Sequence, residues 1–190
     1  MSSVNFDNLL NENNDTIGWL IVNNTNIDYP VVQTIDNDYY LSHAFDGSFN
    51  QAGWVYADFR NDFNNLSKNT VIYGHGRKDG VMFGSLRNTL DKNWYTNQDN
   101  QVIQFSTLKY NTMWQIFSIY KIPAESYYIT TDFSSDENYE TFLHTMMNRS
   151  IYNFNINVGK DDRILTLSTC FNDYGMRLVV HAKLVKIQER

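Results

Sequence analysis

Three residues could together carry out covalent chemistry on a carbonyl group. Cys170 is the only cysteine in the chain. A lone cysteine is in general more often a buried structural thiol than a nucleophile. This one, however, closes the apolar run Arg163-Ile-Leu-Thr-Leu-Ser-Thr169 and precedes the polar segment Phe171-Asn-Asp-Tyr-Gly175. Strand ends and loops carry reactive groups more often than strand middles do. His75 lies in Tyr73-Gly-His-Gly76, directly after Thr70-Val-Ile72. Alternation puts Val71, Tyr73 and His75 on one face, and the flanking glycines leave the imidazole accessible. Arg177 opens the next β-like run, so a hairpin returns it toward the cysteine. A fixed guanidinium beside a thiol favours the thiolate and can stabilise an oxyanion. The chemistry these types support is acyl transfer through a thioester, with the imidazole moving protons and the guanidinium meeting the developing charge.

Each of the three also has an ordinary reading: a buried thiol, a turn histidine, a solvated arginine. Their combination is what points to catalysis. The remaining histidines read as structural, since His181 is embedded in a strand, His144 rides an amphipathic helix and His43 follows a short helical stretch. Asp173 could orient His75 or Arg177, although a solvated loop aspartate is the commoner reading. The chain has no glycine-rich phosphate loop, no HExxH pair and no CxxC. One cysteine excludes a zinc site built on several thiolates, and Asp161-Asp162 reads as a solvated turn. No metal and no cofactor is expected.

For these groups to meet, strands must carry them. Eight β-like runs are present: Gly18–Val22, Ile27–Gln33, Gly53–Phe59, Thr70–Tyr73, Gln101–Phe105, Met113–Ile122, Arg163–Thr169 and Arg177–Ile187. Eight strands on 190 residues predict a closed or nearly closed barrel. Asn clusters in the polar connections, where its side chain bonds local backbone. Phe6, Leu9 and Leu10 predict an N-terminal helix, and Met82, Phe83, Leu86 and Leu90 another. The strongest helical pattern runs from Ser134 to about Asn148. There Ser134 caps, Glu137 completes a capping box, and Tyr139, Phe142, Leu143 and Met146 form the buried stripe. The fold class is mainly β with peripheral helices (α+β), in a single domain over 1–190.

Composition narrows the function. At 42% hydrophobic, 15% aromatic and 19% charged the chain is neither disordered nor collagen-like. A net charge of −6, with no basic stripe, argues against nucleic acid as partner. No apolar run approaches the roughly 20 residues that span a bilayer. Met1-Ser-Ser-Val4 lacks the basic and apolar regions of a signal peptide. The chain as given therefore reads as soluble.

The motifs resemble those of the sortases, the cysteine transpeptidases of Gram-positive bacterial surfaces, and within them class B. Thr166-Leu-Ser-Thr-Cys170 matches the family's TLxTC, with Tyr73-Gly-His75 upstream and Arg177-Leu-Val-Val-His-Ala-Lys183 downstream. Ile27-Asp-Tyr-Pro-Val-Val-Gln33, Asp36-Asn-Asp-Tyr-Tyr-Leu41, Asp58-Phe-Arg-Asn61 and the long helix before the cysteine strand also resemble class B. The likeness covers nearly the whole chain. It implies an eight-stranded sortase-type barrel whose cleft is floored by the strands ending at His75 and Cys170. It further implies cleavage of an NPxTx-type C-terminal sorting signal after its threonine, through a thioester on Cys170. The protein so released is joined to an amine of the peptidoglycan precursor, or to another acceptor such as a pilin. Catalytic roles are implied for His75, Cys170 and Arg177, and substrate contacts for Asn37, Tyr73, Tyr128, Ile129 and Ser168. The implied location is the extracellular face of the membrane, with an N-terminal anchor outside this chain. Two departures stand out: a short Cys170 to Arg177 loop, and Phe171 where relatives often carry a polar or acidic residue. The alternative function is a cysteine peptidase that releases its acyl-enzyme to water, although papain-like enzymes place the cysteine before the histidine. A third reading is a non-catalytic peptide-binding barrel with a buried cysteine.

Overall fold

All eight β-like runs form strands, and the strands close on themselves. The computed structural model describes residues 4–171 and 175–190, the side chains of Cys170 and Phe171 excepted. The strands are β1 Thr16–Val22, β2 Asp28–Val32, β3 Tyr56–Ala57, β4 Asn69–Gly74, β5 Val102–Thr107, β6 Tyr110–Pro123, β7 Ile164–Phe171 and β8 Met176–Glu189. Their order is β1-β2-β3-β4-β7-β8-β6-β5, and β5 returns to β1. Closure gives each strand a neighbour on both sides among the described residues. β3 is shorter than its run, because Gly53 takes a φ of +58° and a turn begins at Asp58, whose carbonyl accepts from the Asn61 N–H.

The pairing that matters for function is β4 with β7. It is parallel and in unbroken register from Asn69↔Ile164 to Gly74↔Thr169. Parallel neighbours need a long crossover, and here β5, β6 and the longest helix intervene. β8 then lies antiparallel on the other side of β7. Alternation along these strands splits the core. Leu20, Ile72, Phe105, Trp114, Leu167 and Val180 fill the barrel interior and are fully buried.

The outer face of β6, β7 and β8 is covered by α3, Asp136–Asn148 (helices numbered in chain order). Its stripe is the one the spacing predicts: Tyr139, Phe142, Leu143 and Met146 pack on Phe117, Tyr120, Ile164 and Val179. Burying each such side chain is worth about 1.5–3 kcal/mol. The predicted capping box does not form. Ser135, extended at φ −157° and ψ 162°, is the cap, and its hydroxyl accepts from the Asn138 N–H at 3.1 Å. Ser134 instead receives the Asn138 side-chain amide. Starting one residue later puts Asn138, not Glu137, at the third helical position.

The helix expected around Met82 to Leu90 is a 3-10 helix, Gly84–Leu90. Met82 sits at φ +51°, outside any right-handed helix. Phe83 and Leu86 are both fully buried, and a three-residue spacing serves a 3-10 helix as well as an α-helix. The N-terminal helix α1 runs Phe6–Glu12, capped by Asn5. A short α2, Lys92–Tyr95, is not signalled by any periodicity. Asn24 and Asn155 occupy the left-handed region, the role expected of asparagine in connections.

Candidate active site

The last β4–β7 pair is Gly74 with Thr169, and β7 runs on to Phe171, so the residues that follow that pair are neighbours. One step past the last β4–β7 pair come His75 on one strand and Cys170 on the other. Cys170 in turn pairs with Arg177 across the antiparallel β7–β8 ladder. The three residues therefore form a row across three adjacent strand ends. The cysteine side chain lies outside the described residues, as does Asp173 with the rest of the 172–174 segment. The side chain of Phe171 lies outside them too.

A cleft of about 220 Å³ is lined by Leu41, Tyr56, Tyr73, Gly74, His75, Ser168, Thr169 and Arg177. His75 is half-buried, and its Nε2 lies 2.8 Å from the Leu41 carbonyl. A carbonyl only accepts, so Nε2 carries a hydrogen in this contact. The His75 carbonyl accepts from the Phe83 N–H at 3.0 Å. Gly53 makes the seat for the ring. A Cβ there would stand 2.4 Å from the Tyr40 carbonyl oxygen and 2.9 Å from His75 Cδ2. Gly74 similarly admits the Phe83 ring, which would come within 2.7 Å of an added Cβ. Arg177 is half-buried, and its Nη1 donates to the neighbouring Met176 carbonyl at 3.2 Å.

Among the residues expected to contact substrate, Tyr73 and Ser168 pair directly in the β4–β7 ladder and line the cleft. Asn37, Tyr128 and Ile129 do not line it; they stand in the structure beside it. Tyr128 is buried, with its hydroxyl 3.0 Å from Ser168 Oγ. Asn37 and Ile129 are joined to Tyr73 through Asp58 and Arg60, residues the sequence signals only as part of a motif. The Asp58 carboxylate accepts from Arg60 Nε at 2.7 Å and Nη2 at 2.6 Å, Tyr73 Oη at 2.8 Å and Asn37 Nδ2 at 3.1 Å. Arg60 Nη2 also donates to the Ile129 carbonyl at 3.0 Å. Burial works to raise the Asp58 pKa, but the bonds from Arg60 and Tyr73 outweigh it and hold the carboxyl below its ordinary range. Burial, reinforced by the Asp58 charge, pushes the Tyr73 hydroxyl well up, so it stays a donor.

Sequence reasoning missed Leu41, Tyr56 and Thr169 as cleft residues. Leu41 carries no local signal, because its contribution is a carbonyl delivered to His75 from the end of a 3-10 turn, Tyr39–Leu41, 34 positions upstream. Thr169 and Tyr56 follow from the register once β4 has β3 and β7 as neighbours.

The buried His181 is structural, as its place in a strand suggested. Its Nδ1 faces Thr166 Oγ1 at 2.8 Å and its Nε2 faces Tyr120 Oη at 2.8 Å. Thr166 donates to Asn69 Oδ1 at 2.6 Å, and Asn69 Nδ2 donates to the Thr130 and Tyr128 carbonyls. The last link ties this interior chain to the wall beside Ser168.

Comparison with known proteins gives consistent matches. The sortase domain family matches residues 20–185. The curated sortase B of Listeria monocytogenes is 40% identical over 176 residues, which cover 91% of this chain and 71% of that protein. The structure of a Staphylococcus aureus sortase B–substrate complex superposes with a TM-score of 0.88 at 37% identity, covering 95% of this chain and 84% of that one. A structure of sortase B complexed with triglycine gives 0.89 at 37% identity, covering 95% and 85%.

Proposed function

Because the chain belongs to the class B sortases, cysteine transpeptidases that anchor surface proteins, we propose that its row His75, Cys170, Arg177 cleaves an NPxTx-type sorting signal and passes the acyl group to an amine. The observation that supports this reading is the register, in which the three positions are neighbours near strand ends, with His75 and Arg177 lining one cleft.

In this reading the Cys170 thiolate attacks the threonine carbonyl and forms the C–S bond. The carbonyl π electrons move to oxygen, and Arg177 meets the oxyanion; losing one such donor typically costs about 2.7–4 kcal/mol. Collapse expels the peptide amine, which takes a proton from the His75 imidazolium, a contribution of about 10²–10⁴-fold. The incoming amine then attacks the thioester, gives its proton back to His75 and releases the thiolate. Atoms and protons balance over the cycle, and no cofactor is consumed.

Tyr73 and Ser168 form the floor on which the signal lies, and Asn37, Tyr128 and Ile129 form its flank. The substrate complex of the Staphylococcus aureus relative supports a peptide ligand for this groove, and the triglycine complex supports an oligoglycine-type acceptor. Sortases are cell-surface enzymes, and no helix among the described residues is long and apolar enough to cross a membrane. We place the catalytic domain outside the cell, held by an N-terminal anchor.

The test is mass spectrometry of an NPxTx peptide incubated with the chain, with and without triglycine. The expected product is the threonine–triglycine adduct, absent with Cys170→Ala. Turnover by Cys170→Ala would remove covalent catalysis. Hydrolysis alone, unchanged by triglycine, would make the protein a cysteine peptidase instead.

A further inference from the structure

We propose that the Asp58–Arg60 ion pair is a positioning unit that sets the spacing between the walls of the peptide groove, and so governs affinity for the sorting signal rather than chemistry at the cysteine. This rests on the peptide-groove reading above and deepens it. The two walls come from distant parts of the chain. One is the segment after β2 that carries Asn37; the other is the turn Tyr127–Ile129 between β6 and α3. The floor residue between them is Tyr73 on β4.

One ion pair collects all three. Asp58 is fully buried and takes Asn37 Nδ2 at 3.1 Å, Tyr73 Oη at 2.8 Å and both forks of Arg60. The Arg60 fork then reaches past the carboxylate to the Ile129 carbonyl at 3.0 Å. Asn37 Oδ1 accepts from the Phe59 N–H at 3.0 Å, so the loop is gripped at both ends of one amide. The bridge depends on a planar fork that bonds a carboxylate bidentately and still has a donor for a carbonyl; a lysine ammonium is a point charge and cannot span both.

Stability alone does not account for the arrangement. Asp58 is buried but Arg60 is exposed, and such a pair is weak evidence for stability. Exposed charges are screened by solvent, and well-packed apolar residues often do as well as buried ones. What an apolar pair could not do is hold an amide, a phenol and a backbone carbonyl at fixed separations. Asp58 and Arg60 do not line the cleft that holds His75 and Arg177. They act on the reaction only through residues that border it.

The experiment compares wild type with Arg60→Gln, Arg60→Lys and the double variant Asp58→Asn/Arg60→Gln. Four quantities are read: kcat and KM for the NPxTx peptide, KM for triglycine, the rate of Cys170 alkylation by iodoacetamide, and the thermal midpoint. Loss of uniform binding raises KM and leaves kcat in place. Arg60→Gln should therefore raise peptide KM about tenfold or more, with kcat, triglycine KM and alkylation rate near wild type. Arg60→Lys should fall between the two. Should Arg60→Gln leave the buried carboxylate uncompensated and fail to fold, the double variant carries the same expectation without the charge imbalance. A lowered thermal midpoint with unchanged peptide KM overturns the proposal, as does a matched fall in kcat and alkylation rate. A wild-type chain that turns over no NPxTx peptide overturns the underlying groove reading itself, a failure told apart because the proposal alone can fail with wild-type turnover intact.

Discussion

Two residues of one strand show how little the identity of a side chain says without its neighbours. Arg177 and His181 both lie on β8, four positions apart, yet one faces a cleft and the other is sealed inside. Arg177→Lys keeps the charge and loses the fork, so kcat for the sorting peptide should fall by about 10²–10³ with an unchanged fold. Steady-state kinetics with circular dichroism checks this, and wild-type kcat would remove the arginine from the mechanism. His181 has both ring nitrogens committed. Asn69 offers its Nδ2 to carbonyls, so its Oδ1 must accept the Thr166 hydroxyl hydrogen; Thr166 then accepts from His181 Nδ1–H, while Nε2 faces Tyr120 Oη. The ring is neutral. Burial, helped by the Arg149 charge beyond Tyr120, lowers its pKa to about 3. Between about 6.5 and about 3 the unfolded chain binds a proton here that the folded chain refuses, so stability falls on acidification through that window. One proton is worth up to about 1.4 kcal/mol per pH unit. Urea denaturation at pH 7, 5.5 and 4.5 should show that slope in wild type and its loss in His181→Gln. Equal slopes in both would mean that His181 is protonated in the fold.

At the level of elements, strands were legible because burial with period two writes itself into the residues, and α3 because its stripe is long. The capping box was not legible in detail. Ser134 and Ser135 are adjacent and chemically equal, and only the extended backbone at Ser135 decides which hydroxyl covers the first turn. Ser135→Ala should therefore lower stability by about 1 kcal/mol, and Ser134→Ala by clearly less, in chemical denaturation. Equal effects would give Ser134 a share in the cap. The stretch from Met82 to Leu90 differs in type from its expectation for a related reason: apolar residues three apart fit two kinds of helix, and here the tighter one forms, starting just after Phe83, which approaches Gly74 closely. That approach matters for function, since the Phe83 N–H bonds the His75 carbonyl.

For the whole molecule, closure of the barrel makes one continuous core of residues from β1 to β8. We propose that the chain unfolds as a single domain, so circular dichroism and tryptophan fluorescence should report one coincident transition. Two separated transitions would split the domain. The same closure explains what could and could not be read in advance. Residue types and local order were enough to predict eight strands, the barrel, the principal helix and the return of Arg177 toward Cys170, because those follow from alternation and from motifs short enough to lie on one strand or hairpin. That His75, at the end of a distant strand, lies beside Cys170 was implied only by the family resemblance. The delivery of the Leu41 carbonyl to His75, the seat that Gly53 leaves for its ring, and the joining of Asn37 to Ile129 through Asp58 and Arg60 came only with the tertiary structure. These contacts link loops whose separation in the chain is long. Their distance in space is set by strand order around the closed sheet, which no local pattern of side chains encodes.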